Sequence, residues 1–125
     1  MAKDIDPLDA PFAFSGLDRL FHERARLGIV TSLAGQPDGL SFVELKRLCG
    51  LTDGNLNRHL SALEEPGYVL VRKDHTGKRP LTICRLTVQG RAAFLDYLGA
   101  LETALREGTQ AASQGNPTVL RARPA

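Results

Sequence analysis

The chain has 125 residues, enough for one domain or one domain with short tails. It is 42% apolar and 24% charged, as globular proteins are, and 16 Lys and Arg against 14 Asp and Glu leave a net charge of only +2, too mild to announce a nucleic-acid binder by itself. With five Phe, two Tyr and no Trp, an aromatic platform for stacked bases is not expected, and no apolar run reaches the roughly 18–20 residues that span a bilayer.

Met1 to Asp9 is acidic and lacks the basic and apolar regions of a signal peptide, so the cytoplasm is the expected compartment and no membrane partner is expected. Residues 1–16, with Pro7, Pro11, Phe12 and Phe14, read as an N-terminal arm whose two phenylalanines need a surface to cover them. Residues 17–34 have a helical period: Leu17, Leu20, Phe21, Leu27, Val30, Leu33 and Ala34 fall on overlapping i, i+3, i+4 positions, with a break allowed near His22-Glu23. Gly35, Pro37 and Gly39 make the loop that follows.

Ser41 and Glu44 fit a capping box. The short helix it opens has an apolar side of Phe42, Leu45, Leu48 and Cys49, with Lys46 and Arg47 pointing away. Gly50 ends it, Leu51 is a core plug, and Thr52 caps a second helix from about Asp53 to Glu65. Leu56, Leu60 and Leu63 share the buried face of that helix, with His59 at the edge. The opposite face gathers Gly54, Asn57, Arg58 and Ser61, flanked by Asn55 and Ala62, and Glu65 joins it only in the last turn before Pro66-Gly67.

Residues 68–73 and 81–87 are strand candidates joined by a basic loop, 74–80, longer than a two-residue turn. Thr87 caps a final helix, 88–107, on which Phe94, Leu98, Leu101 and Leu105 form a stripe widened by Ala92, Leu95 and Ala104. From Gly108 to residue 125 the composition is that of a mobile tail carrying Arg121 and Arg123.

Two helices joined by a tight turn, then a hairpin, make a winged helix-turn-helix: mainly α with a small β-hairpin (α+β), closed by a terminal helix. The domain is expected at 17–107. Small and hydrogen-bonding residues on the second helix let it enter a major groove roughly 12 Å wide, where Arg58 pairs with guanine and Asn55 or Asn57 with adenine, beside Thr52, Gly54 and Ser61. Lys46, Arg47 and the wing residues Arg72, Lys73, Lys78 and Arg79 are the candidate phosphate neutralisers, with the wing, 72–80, on flanking backbone or minor groove. Taken singly, these side chains read as a solvated helix face and a solubilising loop; their ordered arrangement favours DNA contact.

The stretches 17–23, 25–27, 51–60, 63–65, 67–69 and 77–80, then Leu86-Thr87 with Gly90-Arg91-Ala92, resemble the small winged-helix transcriptional regulators related to the MarR and ArsR families. The resemblance covers about seven-tenths of the chain. It implies a sequence-specific regulator that binds double-stranded operator DNA as a homodimer, with repression as the expected mode and dimerisation through terminal helices and arms. Candidate dimer residues are Phe12, Phe14, Phe94, Leu98, Leu101 and Leu105, because the stripe exceeds what closing one small domain needs. The chain departs from the family at Arg24, where Pro is frequent, at Leu81, where a basic residue is common, at Cys84, where an aromatic is, and at Pro66, where a small residue is usual.

Two other classes compete with this one. A winged-helix protein-interaction module without sequence-specific DNA binding fits the same elements and the modest charge. An enzyme does not: there is no Ser-His-Asp context, phosphate loop or paired metal ligand. No cofactor or metal is expected, since Cys49 and Cys84 make neither a disulfide framework nor a zinc site and His22 and His75 have no ligand spacing. A small-molecule effector is left open, without residues to name for it. The charge is uneven: residues 1–40 carry net −2, 41–90 net +3 and 91–125 net +1, so the positive excess sits in the helix-turn-helix and wing.

Overall fold

A computed structural model of the chain describes Asp6 and residues 9–115. Residues 1–5, 7 and 8 of the expected arm, and residues 116–125 with Arg121 and Arg123, lie outside the described residues. The first helix, α1, is Arg24–Ala34 and not 17–34. Glu23 stops it from starting earlier: its backbone is extended and its carboxylate accepts from the Ala25 and Arg26 N–H groups at 3.0 and 2.9 Å. Arg24 therefore holds the first helical position, where a proline also fits without losing a bond. Residues 17–22 are turns, yet they still bury Phe21 completely. Apolar spacing alone cannot distinguish such a plug from another helical turn.

A short strand absent from the sequence reading, β1 (Leu40–Ser41), comes next and runs into α2 (Phe42–Cys49) through the expected capping box. Gly50 closes α2 in the left-handed region (φ 64), with Leu51 N–H donated back to the Lys46 carbonyl at 3.1 Å. Leu48 corrects the expected apolar side of α2: only Leu45 is fully buried, Phe42 and Cys49 are half-buried, and Leu48 is exposed. An eight-residue helix has room for one narrow buried stripe, and position 48 falls beside it. Thr52 caps α3 (Asp53–Glu64) by accepting from Asn55 N–H at 3.2 Å.

The hairpin is longer and its turn tighter than its composition suggests. β2 (Val69–Thr76) pairs with β3 (Arg79–Leu86) to the tip, where Thr76 faces Arg79 across only Gly77 and Lys78. Gly77 has φ 65 at the first turn position, the sign pattern of a type II′ turn, which suits a twisted two-residue hairpin. Charged residues and Pro80 hid these strand ends. The pair next to the closing pair, His75 and Pro80, lacks ladder bonds in such a hairpin, so the proline removes no donor from it. β1 pairs with β3 through Leu40–Cys84 and Ser41–Ile83, giving an antiparallel sheet of order β1-β3-β2.

α4 runs Val88–Gln114, seven residues past the expected end at Glu107, because Gly108 and the polar residues after it cost helix propensity without breaking the hydrogen-bonded ladder. One core joins all these elements: Ile29, Val30 and Leu33 of α1, the three leucines of α3, Val69, Cys84 and Leu86 of the sheet, and an aromatic cluster in which Phe21 meets Tyr68, Phe94 and Tyr97 at 5.5–5.7 Å. The junction explains Gly90-Arg91. A Cβ at Gly90 would collide with the Tyr68 carbonyl, and the Arg91 guanidinium donates to the Ala34 carbonyl at 3.1 Å, a cation at the C-terminus of α1.

Candidate nucleic-acid interface

The interface candidates begin with α3, because its two faces differ. Leu56, Leu60 and Leu63 are buried, while Thr52, Gly54, Asn55, Asn57, Arg58 and Ser61 are all exposed. Arg58 donates to Asn55 Oδ1 at 3.1 Å, so two candidate base readers lie together with their donors and acceptors in water. Exposed hydrogen bonds of this kind are readily exchanged for others.

Lys46 and Arg47 differ in availability. Lys46 reaches Asp53 at 2.8 Å, tying the end of α2 to the start of α3, whereas Arg47 is exposed. The pair is partly solvated, so it contributes less than about 1 kcal/mol and leaves Lys46 able to change partner.

Strand pairing sorts the wing residues. Val71 and Cys84 pair on the face that packs against the core, so Lys73, two residues on from Val71, lies on the side carrying the helices. Arg72 stands on the other face, opposite Ile83 and near Arg85, with Asp38 and Asp74 in the same shallow groove of about 210 Å³. Lys78 is in the tip turn and Arg79 begins β3; both are exposed. The strand expected at 68–73 already holds Arg72 and Lys73; what the sequence does not show is which of its two faces carries the helices.

The apolar stripe of α4 is also divided. Phe94, 4% exposed, belongs to the core of its own chain beside Tyr97, a core residue the sequence reading passed over. Leu101 is half-buried, Leu98 is 36% exposed and Leu105 62%. Phe12 is exposed and Phe14, in the left-handed region (φ 49), is half-buried; their rings lie 6.3 Å apart. The arm meets α4 at Gly16, where a Cβ would stand 2.8 Å from Ala100 Cβ.

Arg26, which no local sequence pattern singles out, is a junction. Its Nε donates to the Leu20 carbonyl at 2.6 Å, Nη2 to the Arg19 carbonyl at 3.4 Å, and Nη1 to His59 Nδ1 on α3 at 3.1 Å. Glu23 Oε2 lies 3.7 Å from both Arg26 Nη1 and His59 Nδ1. Burial would raise the Glu23 carboxyl, but its hydrogen bonds from Ala25 and Arg26 and the neighbouring His59 and Arg26 outweigh that and hold it below the ordinary carboxylate value. No short motif marks partners 33 residues apart.

Cys84 is fully buried, and burial with the Glu64 charge pushes its thiol up to about 11, which suits packing and not reactivity. Cys49 is half-buried 3.8 Å from the Ser32 hydroxyl. Among the described residues no cluster of His, Cys, Asp or Glu could hold a metal ion, and no helix is long and apolar enough to cross a membrane.

A helix-turn-helix with an exposed polar second helix and a two-stranded wing defines a winged helix. The model of the winged helix DNA-binding domain family matches residues 25–105, and the chain belongs to that family. An uncharacterised protein of Methanocaldococcus jannaschii is 39% identical over 80 residues, 64% of this chain and 86% of the relative. Among solved structures, a transcriptional regulator homologue from Pyrococcus horikoshii matches with a TM-score of 0.65 at 27% identity, covering 70% of this chain and 86% of that one. A MarR family transcriptional regulator from Streptomyces coelicolor, solved in complex with DNA, matches with a TM-score of 0.59 at 22% identity, over 86% of this chain and 71% of that one; this likeness is one of fold. Family and fold point to a transcriptional regulator, not an enzyme.

Proposed function

We propose that this protein is a transcriptional regulator that binds double-stranded DNA in a sequence-specific manner as a homodimer, with α3 in the major groove and the wing on flanking backbone or minor groove. The observation that carries the reading is the exposed face of α3, where Gly54, Asn57, Arg58 and Ser61 leave no bulky apolar or acidic group in the middle. Asn55 and Arg58 are its leading base readers. Lys73, Lys78, Arg79 and Arg47 supply the phosphate contacts, with Lys46 released from Asp53 when DNA approaches. Repression is the mode that a bound regulator exerts by occluding a promoter, and the cytoplasm is where such DNA would be met. The DNA-binding unit in this reading is 17–107, with the arm and the far end of α4 serving association.

Dimerisation is supported by the length of α4. Its 27 residues extend about 40 Å, whereas the residues it buries fully, Gly90, Phe94 and Tyr97, all lie in the first ten positions. Leu98 and Leu105 continue the apolar stripe beyond the body, and Phe12 adds a second exposed ring. A helix face that outlasts its own domain suits a second copy.

Selection of bound duplexes from random-sequence DNA tests the reading. A defined motif with two related half-sites is expected, and Arg58→Ala should weaken binding to it by about 1–3 kcal/mol and relax one position. Failure to enrich any sequence at low salt would leave the protein-interaction alternative in possession of the surface.

A further inference from the structure

The contact between Arg26 and His59 joins the recognition helix to α1 through an imidazole, a group that can carry its proton on either ring nitrogen or on both. Arginine has no acceptor, so the 3.1 Å approach of Arg26 Nη1 is a hydrogen bond in the neutral imidazole that carries its proton on Nε2 and accepts at Nδ1. The charged groups that face His59 come from α1, Glu23 and Arg26; on its own helix the residues one turn away are Asn55, Leu56, Ala62 and Leu63. The His59 side chain is only 12% exposed, so little water is available to replace a lost partner.

We propose that the Arg26–His59 hydrogen bond is a positioning contact for the recognition helix and that protonation of His59 breaks it, so that DNA binding weakens in mildly acidic solution. A proton on Nδ1 sets two donors against each other across the contact. The nearest acceptor for the new N–H is Glu23 Oε2, 3.7 Å from the same nitrogen. Glu23 is held below the ordinary carboxylate value, so it stays ionised throughout the range in which histidine gains its charge. His59 therefore exchanges Arg26 for Glu23. Arg26 cannot follow freely, because its Nε and Nη2 hold the Leu20 and Arg19 carbonyls of the turn that carries Phe21 into the core. The adjustment falls on α3, where His59 is adjacent to Arg58 and one turn from Asn55. The inference rests on α3 being the DNA-reading helix.

The test uses the full chain and a duplex selected by the wild type at about pH 8, at constant ionic strength. Between about pH 8 and pH 5.5 the affinity of the wild type should fall roughly five-fold or more. His59→Asn places an amide oxygen where Nδ1 stands, an acceptor that does not titrate, and should bind at pH 8 and keep its affinity in acid. The His59→Asn variant keeps His22 and His75, so a loss that came from either would appear in both proteins. Nuclear magnetic resonance of the free wild-type chain should show the α3 backbone amides shifting with the titration of His59. An affinity that holds in acid for the wild type, or falls equally for His59→Asn, overturns the proposal, as do α3 amides that ignore the His59 titration. If no duplex is selected even at pH 8, the regulator reading fails, and the amide titration alone decides the exchange of partners.

Discussion

Single residues hold this fold at helix ends and close approaches. Ser41, Thr52 and Thr87 each accept from an N–H three residues on, and each was recognisable from its place before a helical pattern, because a cap is a local interaction. Glu23 was not, since a glutamate cap leaves no comparable signature. Gly90 shows the opposite limit: in the sequence it is a glycine in a helix, a mild cost, and in the structure it is the surface on which the Tyr68 carbonyl rests. Gly90→Ala should therefore reverse the usual gain of alanine in a helix and destabilise by about 2–4 kcal/mol, a fall of many degrees in the thermal midpoint. A midpoint unchanged or raised would mean that α4 and β2 can separate at little cost.

At the scale of elements, α2, the turn and α3 match the sequence reading closely, while the wing does not. The helices declare themselves through a leucine stripe and caps. The wing is a ribbon whose outer half touches solvent on both faces, so its strands carry no apolar alternation from which to read their length. Its register nevertheless makes a distinction that DNA binding can test. Lys73→Ala should lower affinity for all duplexes and reduce the slope of log affinity against log salt by about one, as should Lys78→Ala at the tip. Arg72→Ala, on the opposite face beside Asp38 and Asp74, should change the slope by much less. Equal slopes for Lys73→Ala and Arg72→Ala would show that the ribbon does not approach DNA with its helix-bearing side.

For the whole molecule, the net charge of +2 averages an acidic first third against a basic helix-turn-helix and wing. One copy should therefore hold random DNA weakly, and two copies on paired half-sites would gain both area and charge. In the proposed dimer, α4 and the arm supply the surface for that association. Leu105→Glu should shift the chain from dimer toward monomer in sedimentation and weaken binding to a two-half-site duplex, with the fold intact because Leu105 is 62% exposed. A sedimentation profile identical to that of the wild type would remove the far end of α4 from the interface.

The sequence by itself determined the order of the four helices and the hairpin, the polar face of the second helix and the position of the positive charge, because caps, helical periods and turn residues act over a few residues. Tertiary structure decided what depends on distant partners. It assigned Phe94 and Tyr97 to the core, where Phe21 meets them from a turn more than 70 residues earlier. It drew β1 into the sheet through two pairings with β3, and it put Lys73, not Arg72, on the face that carries the helices. It also brought Arg26 to His59, a contact invisible to any local pattern, since which side chains of α1 meet α3 depends on how the two helices pack around a shared core.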